Sequence, residues 1–306
     1  MQVFALMLYI WIILPIPFIF PSMQSYRTIV KSFIPDERPE GDGALVRRII
    51  GTSQLRNLDP FLMLDHFKVV KPHGFPDHPH RGFETVTYMI QGIMQHEDFK
   101  GHAGRIGPGD IQWMTAGKGI MHAEMPATDT VEGLQLWVNL HSEFKMCEPA
   151  YQEMKSSEIL KVSNDNVNAT IIAGRSMGQE AGTITRTPTY YIDFKIDSNS
   201  THVQEVPRGW NAFLYVLEGS LQVQNTTLKA LDAVVLSSLE DAVEFRTQEG
   251  ARFVFFAGRP INEPVMQYGP FVMNNQTQIE QTFMDYRQGK NGFEGAQAWS
   301  SEIANK

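Results

Sequence analysis

Two pairs of potential metal ligands, each with one residue between its members, carry the clearest chemistry in this sequence. His78 and His80 flank a proline, and His122 and Glu124 flank an alanine. On a β-strand, side chains two residues apart point to the same face. Two such strands facing each other would bring three imidazoles and one carboxylate to a common point. This donor set suits a borderline divalent ion such as Fe(II) and leaves coordination positions open for substrate and O2.

Short β-strands separated by turns are predicted around these pairs. Residues 84–90 (ETVTYMI) and 134–140 (LQLWVNL) have alternating patterns, and residues 107–110 (GPGD) have the composition of a turn. A second glycine-rich turn, residues 117–119, comes just before His122. Many short strands divided by turns are typical of an all-β sandwich or barrel. The first half of the chain is therefore predicted to form a β domain that contains both ligand pairs.

A second strand-rich block follows a polar connector. Residues 147–160 are polar and compatible with a helix. Five later segments are predicted to be strands: residues 190–196, 212–216, 221–223, 233–236 and 253–257. A hairpin turn is predicted at Gly219, between the second and the third of these strands. The order of strands and turns is similar in the two blocks, which indicates an internal structural duplication.

One helix is predicted near the C-terminus. Residues 277–280 (TQIE) have the spacing of a capping box, and Ile279, Phe283 and Tyr286 then recur on one helical face. Residues 290–292 (KNG) are suited to end the helix. We expect its apolar face to pack against one of the β domains.

Charge and cysteine content exclude several classes of function. The net charge of −8 argues against direct binding to nucleic acid, so any role near DNA would depend on a protein partner. Cys147 is the single cysteine of the chain. An internal disulfide and a cysteine-based zinc site are therefore both excluded.

The N-terminal residues 1–22 form a hydrophobic leader or extension. Residues 4–20 contain no charged side chain, but two prolines interrupt them and no basic residue precedes them. Three interpretations stay open: a leader, a membrane-touching tail, or upstream sequence before a native start at Met23. A start at Met23 predicts a cytoplasmic and nuclear protein. A genuine leader predicts a secreted or membrane-associated one.

The motifs around the ligand pairs resemble those of the cupin superfamily and, more closely, those of the pirin family within it. The resemblance extends over roughly residues 44–303. The segments that carry it include NLDPFLMLDHF (57–67), FPDHPHRGFETVTY (75–88), PGDIQWMTAGKGIMHAEMP (108–126), LQLWVNL (134–140) and EPVMQYGPFVMN (263–274). The motifs of the first block are long and specific.

The resemblance implies an all-β bicupin fold. Two antiparallel jelly-roll β-barrels are expected, with a few short helices that include one near the C-terminus. The implied domains are a metal-binding barrel over residues 23–145 and a metal-free barrel with the C-terminal helix over residues 146–306. No histidine pair occurs in the second block where the first block has one. We also expect the protein to be a monomer.

The resemblance also implies the ligands of one metal ion per chain. The family's ligands correspond to His78, His80, His122 and Glu124, and its metal is Fe(II), although other divalent transition metals suit the same donors. Glu84 is the competing carboxylate, because a glutamate at that offset binds metal in other cupins. With Glu124 as the ligand, Glu84 becomes a neighbouring group in the pocket. His96 is expected to be a surface histidine.

Two functions are associated with the family. The first is quercetin 2,3-dioxygenase activity, in which a small aromatic substrate such as a flavonol is opened by O2 and Glu124 accepts the substrate's proton. The alternative is an iron- and redox-responsive nuclear transcription cofactor. In that case a transcription-factor complex would read the charge of the iron at a surface near Arg81, Lys100 and Lys118.

Overall fold

Antiparallel β-strands make up most of the chain in the computed structural model, which describes residues 25–41 and 43–305. The predicted hydrophobic leader, residues 1–22, lies outside the described residues. Within those two ranges, no helix combines the length and the apolar character needed to cross a membrane.

Two sheets form around the predicted ligand pairs. A seven-stranded sheet has the order β12-β9-β6-β11-β4-β3-β2, and a four-stranded sheet has the order β5-β10-β7-β8. Their strands, together with β1, are β1 (Ile29–Phe33), β2 (Glu37–Glu40), β3 (Ala44–Ile50), β4 (Phe61–Val70), β5 (Phe75–His80), β6 (Phe83–Gln91), β7 (Met94–Asp98), β8 (Ala103–Ile106), β9 (Ile111–Thr115), β10 (Ile120–Pro126), β11 (Thr130–Asn139) and β12 (Ala150–Met154).

A ten-stranded sheet forms the second β unit, and it includes β1 from the start of the chain. Two two-stranded ladders, β15-β16 and β24-β25, and the helix α1 complete the fold. The remaining elements are β13 (Leu160–Ser163), β14 (Val167–Ala173), β15 (Arg175–Ser176), β16 (Gln179–Glu180), β17 (Thr189–Ile196), β18 (Ser200–Glu205), β19 (Asn211–Val223), β20 (Thr226–Lys229), β21 (Ala233–Leu236), β22 (Ala242–Thr247), β23 (Ala251–Gly258), β24 (Met266–Tyr268), β25 (Phe271–Met273) and α1 (Gln276–Gln288). The predicted all-β architecture of two units with a helix near the C-terminus is confirmed.

Three elements associate with the β unit that is more distant in sequence. β1 pairs with β21 of the second unit, although it precedes the first unit in sequence. β12 pairs with β9 of the first unit, although it lies beyond the predicted boundary at residues 145/146. The helix α1 packs over the first unit, where Ile279 shares a buried cluster with Met121 and Phe293. The strands β1 and β12 therefore pair with partners that are distant from them in sequence.

The seven-stranded and ten-stranded sheets pack against each other through a shared apolar core. Alternation along β11 explains how one strand serves both this core and the interior of the first unit. Leu134, Leu136 and Val138 are fully buried against the second unit. Gln135 and Trp137, on the opposite face, line an internal cavity. A strand has a period of two residues, so its outward face supplies the interface while its inward face supplies the site.

Two local features differ from what the sequence indicated. The polar stretch 147–160, interpreted as a connector compatible with a helix, contains the strand β12, because β9 offers it a free edge for pairing. Gly219 lies inside the continuous strand β19 rather than in a hairpin turn. It has a φ of 76°, and an added Cβ would lie 2.1 Å from the carbonyl oxygen of Gly250. Gly219 therefore permits an irregularity within a strand, where only glycine fits the space.

Lys145 joins three separate parts of the fold. Its buried Nζ donates hydrogen bonds to the Gly82 carbonyl at 2.9 Å, the Asn139 side chain at 2.7 Å and the Val272 carbonyl at 3.2 Å. We expect Lys145→Met to lower the free energy of unfolding by about 3 kcal/mol, because three buried oxygens lose their donor. Urea denaturation at pH 7 measures this loss. The exposed Lys161→Met is the control and should stay within about 0.5 kcal/mol of wild type.

Candidate metal centre

Three of the predicted ligands meet where β5 and β10 pair. The two strands are antiparallel, and His122 lies directly opposite His78. His80 follows on the same face of β5. The ligand nitrogens of the three histidines lie within 4.8 Å of one another. Among residues 25–41 and 43–305, this is the one group of three or more histidine, cysteine or acidic side chains close enough to share an ion.

Glu124 lies beside this cluster rather than within it. An irregularity in the β5–β10 ladder falls between His122 and Glu124. The buried carboxylate accepts hydrogen bonds from Thr87 Oγ1 at 3.1 Å and from Gln135 Nε2 at 3.2 Å. It lines the same cavity as His78, but its oxygens are not among the mutually close ligand atoms. The structure thus brings three predicted ligands together and places the fourth at the wall of the same cavity.

The chemistry of the three histidines fits a divalent cation. Burial and the neighbouring histidines hold the pKa values of His80 and His122 well below the ordinary range, so both rings are neutral at pH 7. Nδ1 of His80 and both ring nitrogens of His122 are buried without a hydrogen-bond partner among the described residues. Nδ1 of His78 instead lies 2.8 Å from the Pro76 carbonyl oxygen, which leaves its Nε2 for a ligand. Buried lone pairs without partners are costly, and a bound cation would satisfy them.

The lowered pKa values predict how pH changes the stability of the metal-free protein. Unfolding returns His80 and His122 to ordinary pKa values near 6.5, so the unfolded chain binds more protons below that pH. We expect full stability above about pH 6.5 and a loss of up to about 1.4 kcal/mol per pH unit for each histidine below it. Urea denaturation of chelator-treated protein from pH 8 to pH 5 measures this. A flat profile would contradict the buried, neutral state of the rings.

An internal cavity of about 390 Å³ leads to the cluster. This volume lies within the range of small-molecule sites. His78, His80 and Glu124 line it together with Gln135 and Arg48, whose guanidinium binds both carboxylate oxygens of Asp65 at 2.8 and 2.7 Å. Its apolar wall consists of Val46, Leu62, Met63, Phe67, Phe75 and Trp137. The cavity therefore combines an apolar wall with charged and polar side chains, including two of the three histidines.

Glu84, the competing carboxylate, points away from the cluster. It is fully buried, accepts a hydrogen bond from Thr115 at 2.7 Å and lies 3.6 Å from Arg186 Nη1. Its neighbour at i+2 on β6, Val86, belongs to the core between the two units. Thr87, on the other face of β6, reaches Glu124. The alternation of β6 therefore excludes Glu84 from the metal centre and from the pocket.

Two sequence-based expectations about nearby residues were wrong. His96 is not a surface histidine, because it is buried and its Nε2 lies against a carboxylate oxygen of Glu153. Arg81 does not belong to an exposed basic surface, because it is 1% exposed and its side chain is hydrogen-bonded inside the protein. Both residues lie in polar segments of the sequence. Residues 285 and 291 contact Arg81, and Glu153 of β12 contacts His96.

Sequence reasoning did not identify the groups that hold Glu124. Thr87 and Gln135 contact its carboxylate, and Trp137 lies against His80 with ring centroids 5.4 Å apart. Residues 135 and 137 share one face of a predicted strand, and residue 87 lies in another. Alternation alone predicts a polar face toward solvent, so it did not reveal that these side chains line an interior site.

The fold and the histidine cluster together define this protein as a cupin with a candidate mononuclear metal centre. Comparison with known proteins agrees with this class. The Pirin family profile matches residues 43–138, and the profile of the Pirin C-terminal cupin domain matches residues 191–292. The chain belongs to the pirin family.

Relatives from plants, animals and bacteria resemble most of the chain. A pirin-like protein of Solanum lycopersicum is 53% identical over 281 residues, which cover 90% of this chain and 97% of that protein. Pirin of Homo sapiens is 49% identical over 290 residues, which cover 92% of this chain and 100% of that protein. A crystal structure of quercetin 2,3-dioxygenase from Acinetobacter baumannii has a TM-score of 0.81 and 32% identity, and the match covers 88% of this chain and 99% of that one.

Proposed function

We propose that this protein is an Fe(II)-dependent flavonol dioxygenase of the quercetin 2,3-dioxygenase type. The observation that carries the proposal is the group of three histidines, two of which line a 390 Å³ cavity that is also lined by Phe67, Phe75 and Trp137. The Acinetobacter structure named quercetin 2,3-dioxygenase supports it, because 99% of that chain is matched at 32% identity. When bound, Fe(II) would supply open coordination positions and lower the pKa of a nearby hydroxyl.

The side chains of the cavity have separate tasks in this proposal. His78, His80 and His122 hold the ion, with Glu124 as the fourth ligand. Trp137 and Phe75 flank the flat substrate and exclude water. Once the substrate is seated, the Glu124 carboxylate accepts the proton of its hydroxyl. Thr87 and Gln135 aim the carboxylate, because their hydrogen bonds fix both of its oxygens.

Aerobic incubation of iron-loaded protein with quercetin tests the activity. Loss of the flavonol absorbance together with release of CO is the expected result. A rate no greater than that of free iron would overturn the proposal. The same assay after loading with Fe(II), Ni(II), Co(II) or Mn(II), combined with metal analysis of protein from its native source, tests the assignment to iron.

The alternative is the iron- and redox-responsive transcription cofactor that the family resemblance implies. In this proposal the protein acts in the nucleus as a monomer through a protein partner, without direct contact with nucleic acid. Iron would then be bound but no substrate consumed. Binding of nuclear proteins to the Fe(II) and Fe(III) forms should differ, whereas equal binding would count against a redox switch.

The compartment follows from the start of the mature chain. We propose that the protein is cytoplasmic and nuclear if Met23 is the native start, and secreted or membrane-associated if residues 1–22 are a genuine leader. N-terminal sequencing of the protein from each cell fraction of its native source tests this. Recovery from the cytoplasm and nucleus with Met23 as the first residue supports the first alternative, and recovery from the secreted or membrane fraction supports the second.

A further inference from the structure

The C-terminal segment, residues 263–305, packs directly on the strands that carry the histidines. β5 ends at His80, and the next residue, Arg81, is buried beneath this segment. The guanidinium of Arg81 donates to Asp285 Oδ2 at 2.8 Å, to Thr282 Oγ1 at 3.2 Å and to the Asn291 carbonyl at 2.7 Å. Its partners therefore follow it by about two hundred residues in sequence.

The same guanidinium also reaches the other strand of the metal centre. Arg81 Nε donates to the Lys118 carbonyl at 2.6 Å, just before β10 begins. The Phe293 ring lies 4.6 Å from the guanidinium carbon. Met121, the residue before His122, packs in one buried cluster with Phe271 and Phe293. One charged group thus joins the end of β5, the start of β10 and the C-terminal segment.

A second contact fixes the other side of the histidine pair. The Ser301 amide donates to both carboxylate oxygens of Asp77, at 3.1 and 3.3 Å, and Asp77 immediately precedes His78. The backbone on both sides of the two histidines of β5 is therefore held by residues of the C-terminal segment. The positions of these two ligands depend on that segment being docked.

We propose that Asp285 is a positioning residue for the metal centre. Its carboxylate is itself held by Gln281 and Asn291, each at 2.8 Å, so it presents a fixed partner to Arg81. Through Arg81 it keeps His80 and the start of β10 in the arrangement that an ion requires. Ligands must be held within about 0.5 Å of a productive geometry, so loosening this anchor weakens metal binding. The inference rests on the proposed metal binding but not on the proposed oxygenase activity.

Titration with Co(II) tests the inference in the full-length protein. Asp285→Asn removes the charge but keeps the shape. We expect it to weaken Co(II) binding about 10- to 100-fold, as loss of groups that orient metal ligands does. The visible absorption spectrum of the bound Co(II) should also change, because the arrangement of the ligands relaxes. A variant that merely destabilised the fold would leave the spectrum of the folded, loaded protein unchanged.

Asp193→Asn is the matched control. Asp193 is also buried and binds an arginine, Arg252, at 2.8 Å, but it lies on β17 in the second unit and meets the first unit through a hydrogen bond from Tyr88 at 2.8 Å. This variant should lower the melting temperature of the metal-free protein and leave Co(II) affinity within about twofold of wild type. Equal loss of affinity in Asp193→Asn and Asp285→Asn would overturn the inference, because both would then act through overall stability.

Other outcomes separate this inference from the proposed function. If Asp285→Asn binds Co(II) with the affinity and the visible spectrum of wild type, the inference is overturned but the proposed metal binding is not. Absence of Co(II) binding by wild type would overturn both. If Asp285→Asn does not fold, Thr282→Val removes one acceptor of Arg81 and should still weaken binding several-fold. Unchanged binding in that variant would then overturn the inference.

Discussion

His122→Ala should abolish tight metal binding and reduce flavonol turnover to the level of free iron. His122 lies opposite His78 on the neighbouring strand, and its ring centroid is 4.3 Å from that of His78 and 5.0 Å from that of His80. Its removal leaves two histidines in the cluster. We expect the affinity for Fe(II) to fall by more than about 100-fold, beyond the loss expected for a group that only orients a ligand. Metal analysis after dialysis and the aerobic quercetin assay measure the two effects.

The metal-free form of the same variant should behave differently. Both ring nitrogens of His122 are buried without a hydrogen-bond partner in the part of the chain that the structure describes. Their removal offsets the cost of the cavity that is left, so we expect metal-free His122→Ala to lose no more than about 1 kcal/mol at pH 8. Its stability should also fall less steeply with acid than that of wild type. A large loss of stability at pH 8 would show that His122 mainly stabilises the fold.

His202→Ala is the control for this prediction. His202 is also buried and lies beside an aromatic ring, with its centroid 5.0 Å from that of Phe194, but it belongs to the second unit. We expect this variant to keep its metal and its turnover. Loss of metal from His202→Ala would contradict the assignment of the site to the first unit.

Glu124→Gln should separate proton transfer from metal binding. The glutamine keeps the size of the side chain and one of the two acceptor oxygens that Thr87 and Gln135 contact, but it cannot accept a proton. We expect turnover of the iron-saturated variant to fall about 10²- to 10⁴-fold, the usual contribution of a general base. Affinity for iron should fall less, because the three histidines remain. Turnover rates at saturating iron, with metal content measured in parallel, test this.

Glu84→Gln is the matched control for Glu124→Gln. Glu84 is equally buried, but it faces Arg186 and the second unit. The control should lose stability and keep its turnover rate. Wild-type turnover in iron-loaded Glu124→Gln would refute the role of Glu124 as proton acceptor. A reduced turnover rate in Glu84→Gln would show that removing any buried carboxylate charge slows turnover, whichever carboxylate is changed.

Features that depend on local chain geometry could be predicted well. The one-residue spacing placed His78 and His80 on one face of a strand, and the turn before His122 brought the second strand back. The helix also formed near its predicted position, from Gln276 to Gln288, with Gly289 in the left-handed conformation at its end. Strand period, turn composition and helix capping act within a few residues, so they can be recognised without knowing the rest of the fold.

Contacts between parts of the chain that are distant in sequence could not be predicted. Every residue of β6 from Phe83 to Met89 is buried, so its pattern did not reveal that Glu84 faces the second unit. The burial of Arg81 depends on Asp285, which follows it by 204 residues. A local pattern states which side chains share a face, but not what that face will contact.

The amino-acid sequence alone therefore determined the all-β class, the histidine pairs and the kind of ion that they suit. The resemblance to the pirin family had already favoured Glu124 as the ligand, but only the tertiary structure decided that Glu84 faces the second unit and that the C-terminal segment braces β5 and β10. The reason is physical. Spacing along a strand is set by backbone geometry, whereas strand register and the packing of distant segments are set by contacts that exist only in the folded chain.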